Sequence, residues 1–251
     1  TPEGGPIQFS DYTLDTSSPY AGGAAWVGGE YVPVAEARLP VLDAGYLHSD
    51  VTYSVAAVWH GSFFRLGDHI DRLLWGAERM GIRSPLTKDE IAEICHRCVA
   101  LSQLRESYVS FSLSRGVVPR FDLHSYADHV PQMYVFAVPY RFIFDPELQI
   151  NGARLGVARS VRRCGANQID PRIKNFQWGD LIAAAREVRT QQDAHSAILL
   201  DTDGFVTEGP GFNVFMVKDG VVHTPDRGVL EGVSRRTAIE LCRQLGLPLV
   251  V

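Results

Sequence analysis

The residue whose type and surroundings most strongly suggest chemistry is Lys174, in the stretch IDPRIKNFQWGDL at residues 169–181. Lysine side chains are normally solvated, yet this one follows Ile173 and precedes Phe176 and Trp178. One interpretation is a surface lysine whose aliphatic part covers its apolar neighbours. The other is a partly buried lysine whose neutral amine acts as a nucleophile. This stretch alone leaves both interpretations open.

A second candidate is a carboxylate, Glu208, in the stretch FVTEGPGFNVF. It ends a predicted strand and leads into the turn Gly209-Pro210-Gly211, where glycines let the backbone approach a ligand closely. The alternative is an exposed glutamate of the turn. The motif by itself does not exclude that alternative.

Two further groups suit a phosphate. In GVLEGVSRRT (228–237), Gly232, Val233 and Ser234 open a predicted helix. The unpaired N–H groups of a helix start and a serine hydroxyl form an anion site, although Ser234 also suits simple helix capping. Arg72, on an earlier predicted helix, is either a surface charge or a fork for phosphate oxygens.

Other kinds of catalytic site have little support in the sequence. It contains no G-x-S-x-G, H-E-x-x-H or Walker A motif, no G-x-G-x-x-G after a strand, and no metal-type histidine spacing. Cys95 and Cys98 form a lone C-x-x-C, whereas a zinc site needs four ligands, so we interpret them as core thiols. Cys164 lies beside Arg162 and Arg163, but no histidine is near it in sequence to activate the thiol. We therefore predict no metal site.

The composition is that of an ordinary globular protein. The chain has 251 residues, 45% apolar and 21% charged, which fits one or two domains. Its net charge of −5 gives no sign of nucleic-acid binding, and no apolar run approaches the ~20 residues of a membrane span. The N-terminus lacks the pattern of a signal peptide, and nothing demands disulfides. We therefore expect a cytoplasmic protein.

The first half of the chain has the elements needed to hold Arg72. Hairpins are predicted with turns at Gly28-Gly29 and His60-Gly61. The helix that carries Arg72 follows, with Asp68 as its expected N-cap. A second helix opens with a capping box of Thr87 and Glu90.

The middle of the chain positions Lys174. A strand is predicted at 107–116 and another at 132–144, separated by a long irregular loop at 116–131 that we expect to be functional. Pro171 predicts an extended approach to the lysine, and a helix follows from about Gly179 to Arg189.

The last third is predicted to be a strand meander followed by a helix. Turns are expected at Asp203-Gly204 and Asp219-Gly220, and Ser234 is the expected cap of the final helix. The chain then stops at LPLVV, a strand-like run with no later partner. We therefore expect that C-terminal residues are missing.

Taken together, these features resemble the fold-type IV aminotransferases that use pyridoxal 5'-phosphate (PLP), the branched-chain aminotransferase superfamily. The closest likeness is to the (R)-selective amine transaminases. The lysine stretch and the E-G-x-x-x-N motif from Glu208 to Asn213 carry the superfamily resemblance, whereas HSDVTY and KNFQWGDL carry the subgroup resemblance. The matching stretches are LDAGYLHSDVTYSV (42–55), FFRLGDHIDRL (63–73), IDPRIKNFQWGDL (169–181), TEGPGFNVFMVKDGVV (207–222) and TPDRGVLEGVSRRT (224–237).

The resemblance implies an α/β (α+β) fold of two domains. A small α/β N-terminal domain is expected at residues 1–140. A larger, β-rich PLP-binding domain is expected at 141–251, incomplete at its C-terminus. The family places its active site between the domains and near a homodimer interface.

The resemblance also assigns roles. Lys174 is expected to form the Schiff base with PLP, and Glu208 to pair with the pyridine nitrogen. The expected phosphate ligands are Arg72, Val233 and Ser234. The remaining expected site residues are Asn213 at the cofactor and His48, Tyr53, Val55, Tyr108, Ser110 and Trp178 in the substrate pocket.

The chain departs from the subgroup pattern at the carboxylate-binding arginine of the active-site loop. The best-matching position holds His124, and Arg120 lies four residues earlier. Either residue is a candidate for binding the carboxylate of a keto acid. The family's later segment with a Thr-Thr turn, which contacts the phosphate and the pocket, has no counterpart within the 251 residues.

The function implied is ping-pong transfer of an amino group from an (R)-configured primary amine to a keto acid or ketone. In it, Lys174 takes the α-proton of the substrate and returns it to the cofactor. The alternatives are a D-amino-acid or branched-chain transaminase, a lyase of the aminodeoxychorismate type, and a PLP binder or fragment without activity.

Overall fold

The computed structural model describes residues 15–117 and 129–251. The chain divides into two compact units. The N-terminal unit extends to Phe142 and includes Lys174–Phe176, whereas the C-terminal unit comprises Ile143–Ile173 and Gln177–Val251. The sequence suggested domains of 1–140 and 141–251 and gave no reason to place the three residues around Lys174 in the N-terminal unit.

The N-terminal unit is built on a six-stranded antiparallel sheet in the order β2-β1-β6-β5-β3-β4. Its strands are rich in β-branched and aromatic residues, which favour extended backbone. The strands are β1 (Ala24–Val27), β2 (Glu30–Pro33), β3 (Val51–Trp59), β4 (Ser62–Phe63), β5 (Ser107–Val117) and β6 (Val130–Pro139).

Two long helices cover one face of this sheet. The helices of the unit are α1 (Ala44–His48), α2 (Leu66–Arg79) and α3 (Lys88–Ser102). Ile70 and Leu73 of α2 and Ile91 of α3 pack against Phe111 and Leu113 of β5, all nearly inaccessible to solvent. Each such side chain contributes roughly 1.5–3 kcal/mol on burial. Within the described residues, the opposite face of the sheet lacks this cover by long helices.

Most local predictions for this unit are confirmed. The hairpins turn at Gly28-Gly29 and at His60-Gly61. The capping box of Thr87 and Glu90 is formed. The N-cap prediction for Asp68 is wrong, because α2 already begins at Leu66, and Asp68 instead pairs with Arg65 at 3.2 Å.

The predicted functional loop lies largely outside the described residues, as do Arg120 and His124. Strand β5 continues to Val117, one residue beyond its predicted end. Strand β6 runs over Val130–Pro139 and so ends earlier than the predicted strand at 132–144.

The C-terminal unit combines short strands with three helices around a small core. Leu181, Ala184 and Val188 of one helix pack against Ala197 and Leu199. The elements are α4 (Pro146–Asn151), β7 (Leu155–Val157), α5 (Gly179–Gln192), β8 (Ser196–Ile198), β9 (Glu208–Gly209), β10 (Phe212–Asn213), β11 (Met216–Lys218), β12 (Val221–His223), α6 (Val233–Gln244) and β13 (Leu249–Val250).

One prediction for this unit needs correction. Ser234 does not cap α6. The N-cap position is held by Gly232, so the helix has no side-chain cap. The terminal apolar run is a strand, as predicted, and its partner is an earlier strand, because β13 pairs in parallel with β12. The turn at Asp219-Gly220 is confirmed between β11 and β12.

The four cysteines are free thiols, as expected. Cys95 and Cys98 lie on the buried face of α3, and burial raises the pKa of Cys98 to about 12. Such thiols are inert, which confirms their interpretation as core residues. Within residues 15–117 and 129–251, no helix combines the length and apolar character needed to cross a membrane.

Candidate active site

The segment around Lys174 is hydrogen-bonded to strand β3. A β-turn closed by Ile173 N and Asp170 O leads into it, with Pro171 at the second position. The carbonyl of Lys174 then accepts hydrogen bonds from Tyr53 N and Thr52 Oγ1, each at 2.9 Å. The prediction that Pro171 gives an extended approach is therefore wrong, because the proline starts a turn.

The amine of Lys174 lies against an aromatic side chain. Its Nζ is 4.5 Å from the centroid of the Tyr53 ring, and this ring packs on Phe176 at 4.8 Å between centroids. Tyr53 is buried and Lys174 is half-buried. A surface lysine is expected to extend into solvent, so the geometry favours the alternative of a functional amine.

Arg72 is anchored to the sheet rather than free on the surface of α2. Its Nη2 donates to Ser54 Oγ at 2.8 Å, and the same hydroxyl is 3.2 Å from His69 Nδ1. Ser54 and His69 are both buried. The sequence interpretation did not include them, although Ser54 alternates with the pocket residues of β3 and His69 is one helical turn before Arg72.

Glu208 is buried in the C-terminal unit and is only 5% exposed, so it is not an exposed turn residue. Its Oε2 accepts hydrogen bonds from Leu230 N at 2.9 Å and from Asn213 Nδ2 at 3.2 Å. The hairpin of β9 and β10 sets Asn213 directly opposite Glu208. The E-G-x-x-x-N motif thus places an amide donor beside the carboxylate.

Arg163 joins Glu208 to a second buried carboxylate. Its Nε donates to Glu208 Oε1 at 3.0 Å, and its Nη1 donates to Asp180 Oδ2 at 2.8 Å. Burial acts to lower the pKa of Arg163, but the two carboxylates outweigh it and raise this pKa overall. The sequence interpretation considered Arg163 only as a neighbour of Cys164 and did not consider Asp180. The ion pairs join residues 17 and 45 positions apart, which no local pattern indicates.

Cys164 is not an activated thiol. Burial and the neighbouring carboxylate of Asp180 raise its pKa above the ordinary value, more than Arg163 lowers it. The sequence-based rejection of this cysteine as a nucleophile is therefore supported. Among the residues that the structure describes, no group of three or more His, Cys, Asp or Glu side chains is arranged to hold a metal ion.

The start of α6 is an anion-type site next to Asn213. Gly232 is the N-cap, so the first N–H groups of the helix have no side-chain cap and lie at the positive end of its dipole. A Cβ atom at Gly232 would lie 2.3 Å from Asn213 Oδ1, so a larger residue there would have to displace the Asn213 amide. Val233 is buried and Ser234 is exposed in the first turn.

Four of the six pocket residues share one face of the N-terminal sheet. Val55 of β3 is directly opposite Ser110 of β5, and Tyr53 and Tyr108 lie two positions away on the same side. This is the face that α2 and α3 leave open. Of the other two, His48 ends α1 in the same unit, and Trp178 precedes α5 in the C-terminal unit.

A cavity of about 410 Å³ opens on this face of the sheet. Its lining is mostly apolar, with a row of serines on β5 and the ring of Phe176. The one charged residue that the described part of the chain contributes is Asp43, which is 2% exposed. Asp43 accepts hydrogen bonds from Gly45 N and Tyr134 Oη, each at 2.7 Å. Burial, and then the bond to Asp43, raise the pKa of Tyr134.

Comparisons with known proteins identify the family. The sequence profile of the class IV amino-transferases matches residues 52–251. A putative branched-chain-amino-acid aminotransferase of Methanocaldococcus jannaschii is 30% identical, over 90% of this chain and 76% of its own length. A D-alanine aminotransferase of Bacillus licheniformis is also 30% identical, over 87% of this chain and 75% of its own length.

Solved structures show the same fold. The branched-chain aminotransferase of Thermoproteus uzoniensis with norvaline matches with a TM-score of 0.82 and 28% identity, covering 91% of this chain and 77% of that one. The T.th. branched-chain amino acid aminotransferase complexed with N-(5'-phosphopyridoxyl)-L-glutamate matches with a TM-score of 0.82 and 25% identity, covering 92% and 76%. The chain therefore belongs to the class IV aminotransferases, a family of PLP-dependent enzymes.

Proposed function

We propose that this aminotransferase moves an amino group from an (R)-configured primary amine to a keto acid or ketone, with Lys174 as its catalytic residue. PLP, when bound, supplies an aldehyde carbon that captures amines and a ring that withdraws electrons from the reacting carbon. The observation that carries the proposal is the amine of Lys174, held 4.5 Å from the Tyr53 ring in the unit that also contains the apolar cavity.

The residues present fit the cofactor group by group. A lysine amine suits the aldehyde, and the buried carboxylate of Glu208 suits a protonated ring nitrogen. Arg72 and the uncapped start of α6 suit the phosphate. Because Gly232 holds the N-cap, no capping side chain occupies the first N–H groups of the helix, which suits an anion.

The role of Lys174 is to carry a proton. Its Nζ accepts the proton from the α-carbon of the substrate and returns it on the cofactor side. The two hydrogen bonds to its carbonyl, from Tyr53 N and Thr52 Oγ1, fix the backbone from which the side chain projects. The Tyr53 ring limits the directions that the amine can take.

The other residues hold the cofactor in its active form. Glu208 keeps a proton on the ring nitrogen, which preserves the electron-withdrawing character of the ring. Asn213 and Leu230 N orient that carboxylate. Arg72 in the N-terminal unit and the Val233-Ser234 turn of α6 in the C-terminal unit would each offer donors to a phosphate.

The cavity supports an amine with an apolar substituent. Its lining within the described residues contains no lysine, arginine or histidine that would hold a carboxylate. Tyr108, Ser110 and Val55 lie on the face of the sheet that borders it. Binding of the keto-acid carboxylate stays assigned to Arg120 or His124, which lie outside the described residues.

The second candidate is a branched-chain or D-amino-acid transaminase. It is favoured by the relatives, whose names are branched-chain-amino-acid and D-alanine aminotransferases. Sequence conservation at about 30% identity is compatible with a change of substrate, because specificity depends on a few pocket side chains.

The two candidates are separated by substrate choice. Purified protein with PLP is offered each enantiomer of a 1-arylethylamine with pyruvate, and separately D-alanine and L-leucine with 2-oxoglutarate. Turnover of the R amine alone supports the first candidate. Turnover only of an amino acid, D or L, moves the assignment to the second. We further propose a homodimer, which analytical ultracentrifugation of the same sample tests.

A further inference from the structure

The guanidinium of Arg163 is held between two buried carboxylates. Its side chain is 11% exposed, and those of Glu208 and Asp180 are each 7% exposed. The two hydrogen bonds use different nitrogens, Nε to Glu208 and Nη1 to Asp180. The three side chains therefore form a fixed row, Glu208–Arg163–Asp180, all within the C-terminal unit.

Main-chain groups fix both ends of this row. Glu208 accepts from Leu230 N, and Asp180 accepts from Cys164 N at 2.9 Å and from Leu181 N at 2.7 Å. Burial acts to raise the pKa of Asp180, but these bonds and Arg163 bring it below the ordinary value. Asp180 and Arg163 are therefore both charged near neutral pH, and Arg163 is hydrogen-bonded to a carboxylate on each side.

A structural role explains only part of this arrangement. One arginine and one glutamate already form a neutral pair, and burying a further carboxylate has a desolvation cost that such a pair does not require. If Arg163 acted on Glu208 alone, its positive charge would offset the carboxylate and weaken its attraction for a protonated ring nitrogen. The negative charge of Asp180 in turn offsets the positive charge of Arg163.

We propose that Arg163 and Asp180 are positioning residues for Glu208, and that Asp180 preserves the ability of Glu208 to hold a proton on the ring nitrogen of the cofactor. The inference rests on the proposed pairing of Glu208 with that nitrogen. Arg163 fixes the orientation of the carboxylate through Oε1. Asp180 leaves the row with one net negative charge, which is the charge a pyridinium needs as its partner.

The test measures how much the ring nitrogen contributes to the binding of the cofactor. Apoprotein is titrated with PLP and with a carbocyclic analogue in which CH replaces the ring nitrogen, and the ratio of the two dissociation constants measures the preference for that nitrogen. We expect Asp180→Asn, which keeps the shape of the side chain, to lower this preference about tenfold. Asp180→Ser, which also removes the charge, should do the same and serves if the first variant folds poorly.

The matched control removes a carboxylate from the other end of the same helix. Asp193 follows α5, and its side chain is 96% exposed and pairs with Arg154. Asp193→Asn should leave the preference unchanged. In a Glu208→Gln background, Asp180→Asn should have no further effect on the preference, because the residue through which it acts is gone.

The outcomes separate this inference from the proposed function. If wild-type protein prefers PLP, but Asp180→Asn weakens the binding of PLP and of the analogue by the same factor, Asp180 is structural and the inference is overturned. If wild-type protein binds both cofactors equally, the pairing of Glu208 with the ring nitrogen fails, and the inference fails with it. A loss of preference confined to the Asp180 variants and Glu208→Gln supports it.

Discussion

The two units of the molecule offer opposite kinds of surface for chemistry. The open sheet face of the N-terminal unit is apolar, with serine hydroxyls and a cavity of about 410 Å³. The C-terminal unit instead buries ionised groups, with Glu208, Arg163 and Asp180 tied to main-chain N–H groups. A substitution on the wall of an open cavity changes the space available to a substrate, whereas a buried charge that loses its partner has a large desolvation cost. We therefore expect substitutions in the first region to change substrate choice and those in the second to affect the cofactor.

The largest effect is expected at Lys174, which belongs to the N-terminal unit yet acts on the cofactor. Lys174→Ala removes the proton carrier, so the transamination rate should fall by about 10²–10⁴-fold. The measurement is kcat with saturating PLP. Lys218→Ala, at an exposed position on β11, is the matched control and should keep full activity. A Lys174→Ala protein with near wild-type kcat would remove the residue from the mechanism.

The next largest effect is expected at Glu208. Glu208→Gln keeps the shape and an acceptor but removes the charge, so kcat/KM should fall about 10²–10³-fold. The variant should remain folded, because an amide can still accept from Leu230 N. Steady-state kinetics and thermal unfolding measure the two properties. An unchanged kcat/KM would mean that the ionised row of the C-terminal unit is only structural.

A smaller effect is expected in the pH dependence of stability. The pKa of Asp180 in the folded protein is below its ordinary value. The ionised carboxylate therefore stabilises the fold at pH values above the ordinary pKa, and this stabilisation is lost as the pH falls through the folded-state pKa. Asp180→Asn should therefore lower the free energy of unfolding of the apoprotein by about 1.5–3 kcal/mol near neutral pH, and the difference from wild type should shrink in acid. Urea unfolding over a pH series measures this. A difference that stays constant down to acid pH would contradict the assignment.

The smallest effect is expected in the cavity. Ser110→Leu fills space on the open sheet face and should raise KM for a 1-arylethylamine about tenfold, with the dissociation constant for PLP unchanged. Ser62→Leu, on the exposed edge strand β4, is the control substitution. If Ser110→Leu weakened the binding of PLP as much as the binding of the amine, the division between substrate and cofactor regions would be wrong.

Much of the fold was predictable from the sequence because its signals are local. The hairpin turns at Gly28-Gly29 and His60-Gly61 and the capping box of Thr87 and Glu90 follow from rules over two to four residues. The start of α2 was missed because its N-cap residue has no side-chain capping bond. Arg65 takes a left-handed backbone conformation (φ 52°) at the N-cap, which a search for capping side chains does not find.

The residues of the site were predictable only where they belong to a sequence motif. The E-G-x-x-x-N motif led to Glu208 and Asn213, and the hairpin register explains that spacing, because it sets the two residues directly opposite each other. Arg163 and Asp180 were missed because ion pairs between distant positions depend on tertiary packing. The bond between Arg72 and Ser54 was missed for the same reason, since it links a helix to a strand 18 residues away.

The most direct test of the central claim is to locate the cofactor chemically. The chain has three lysines, Lys88, Lys174 and Lys218, and the first and last are exposed. Protein loaded with PLP is reduced with borohydride, digested and analysed by mass spectrometry. The account predicts one pyridoxyl adduct, on Lys174, and none in Lys174→Ala. An adduct on Lys88 or Lys218 in its place, or no adduct in protein that has taken up PLP, would contradict it.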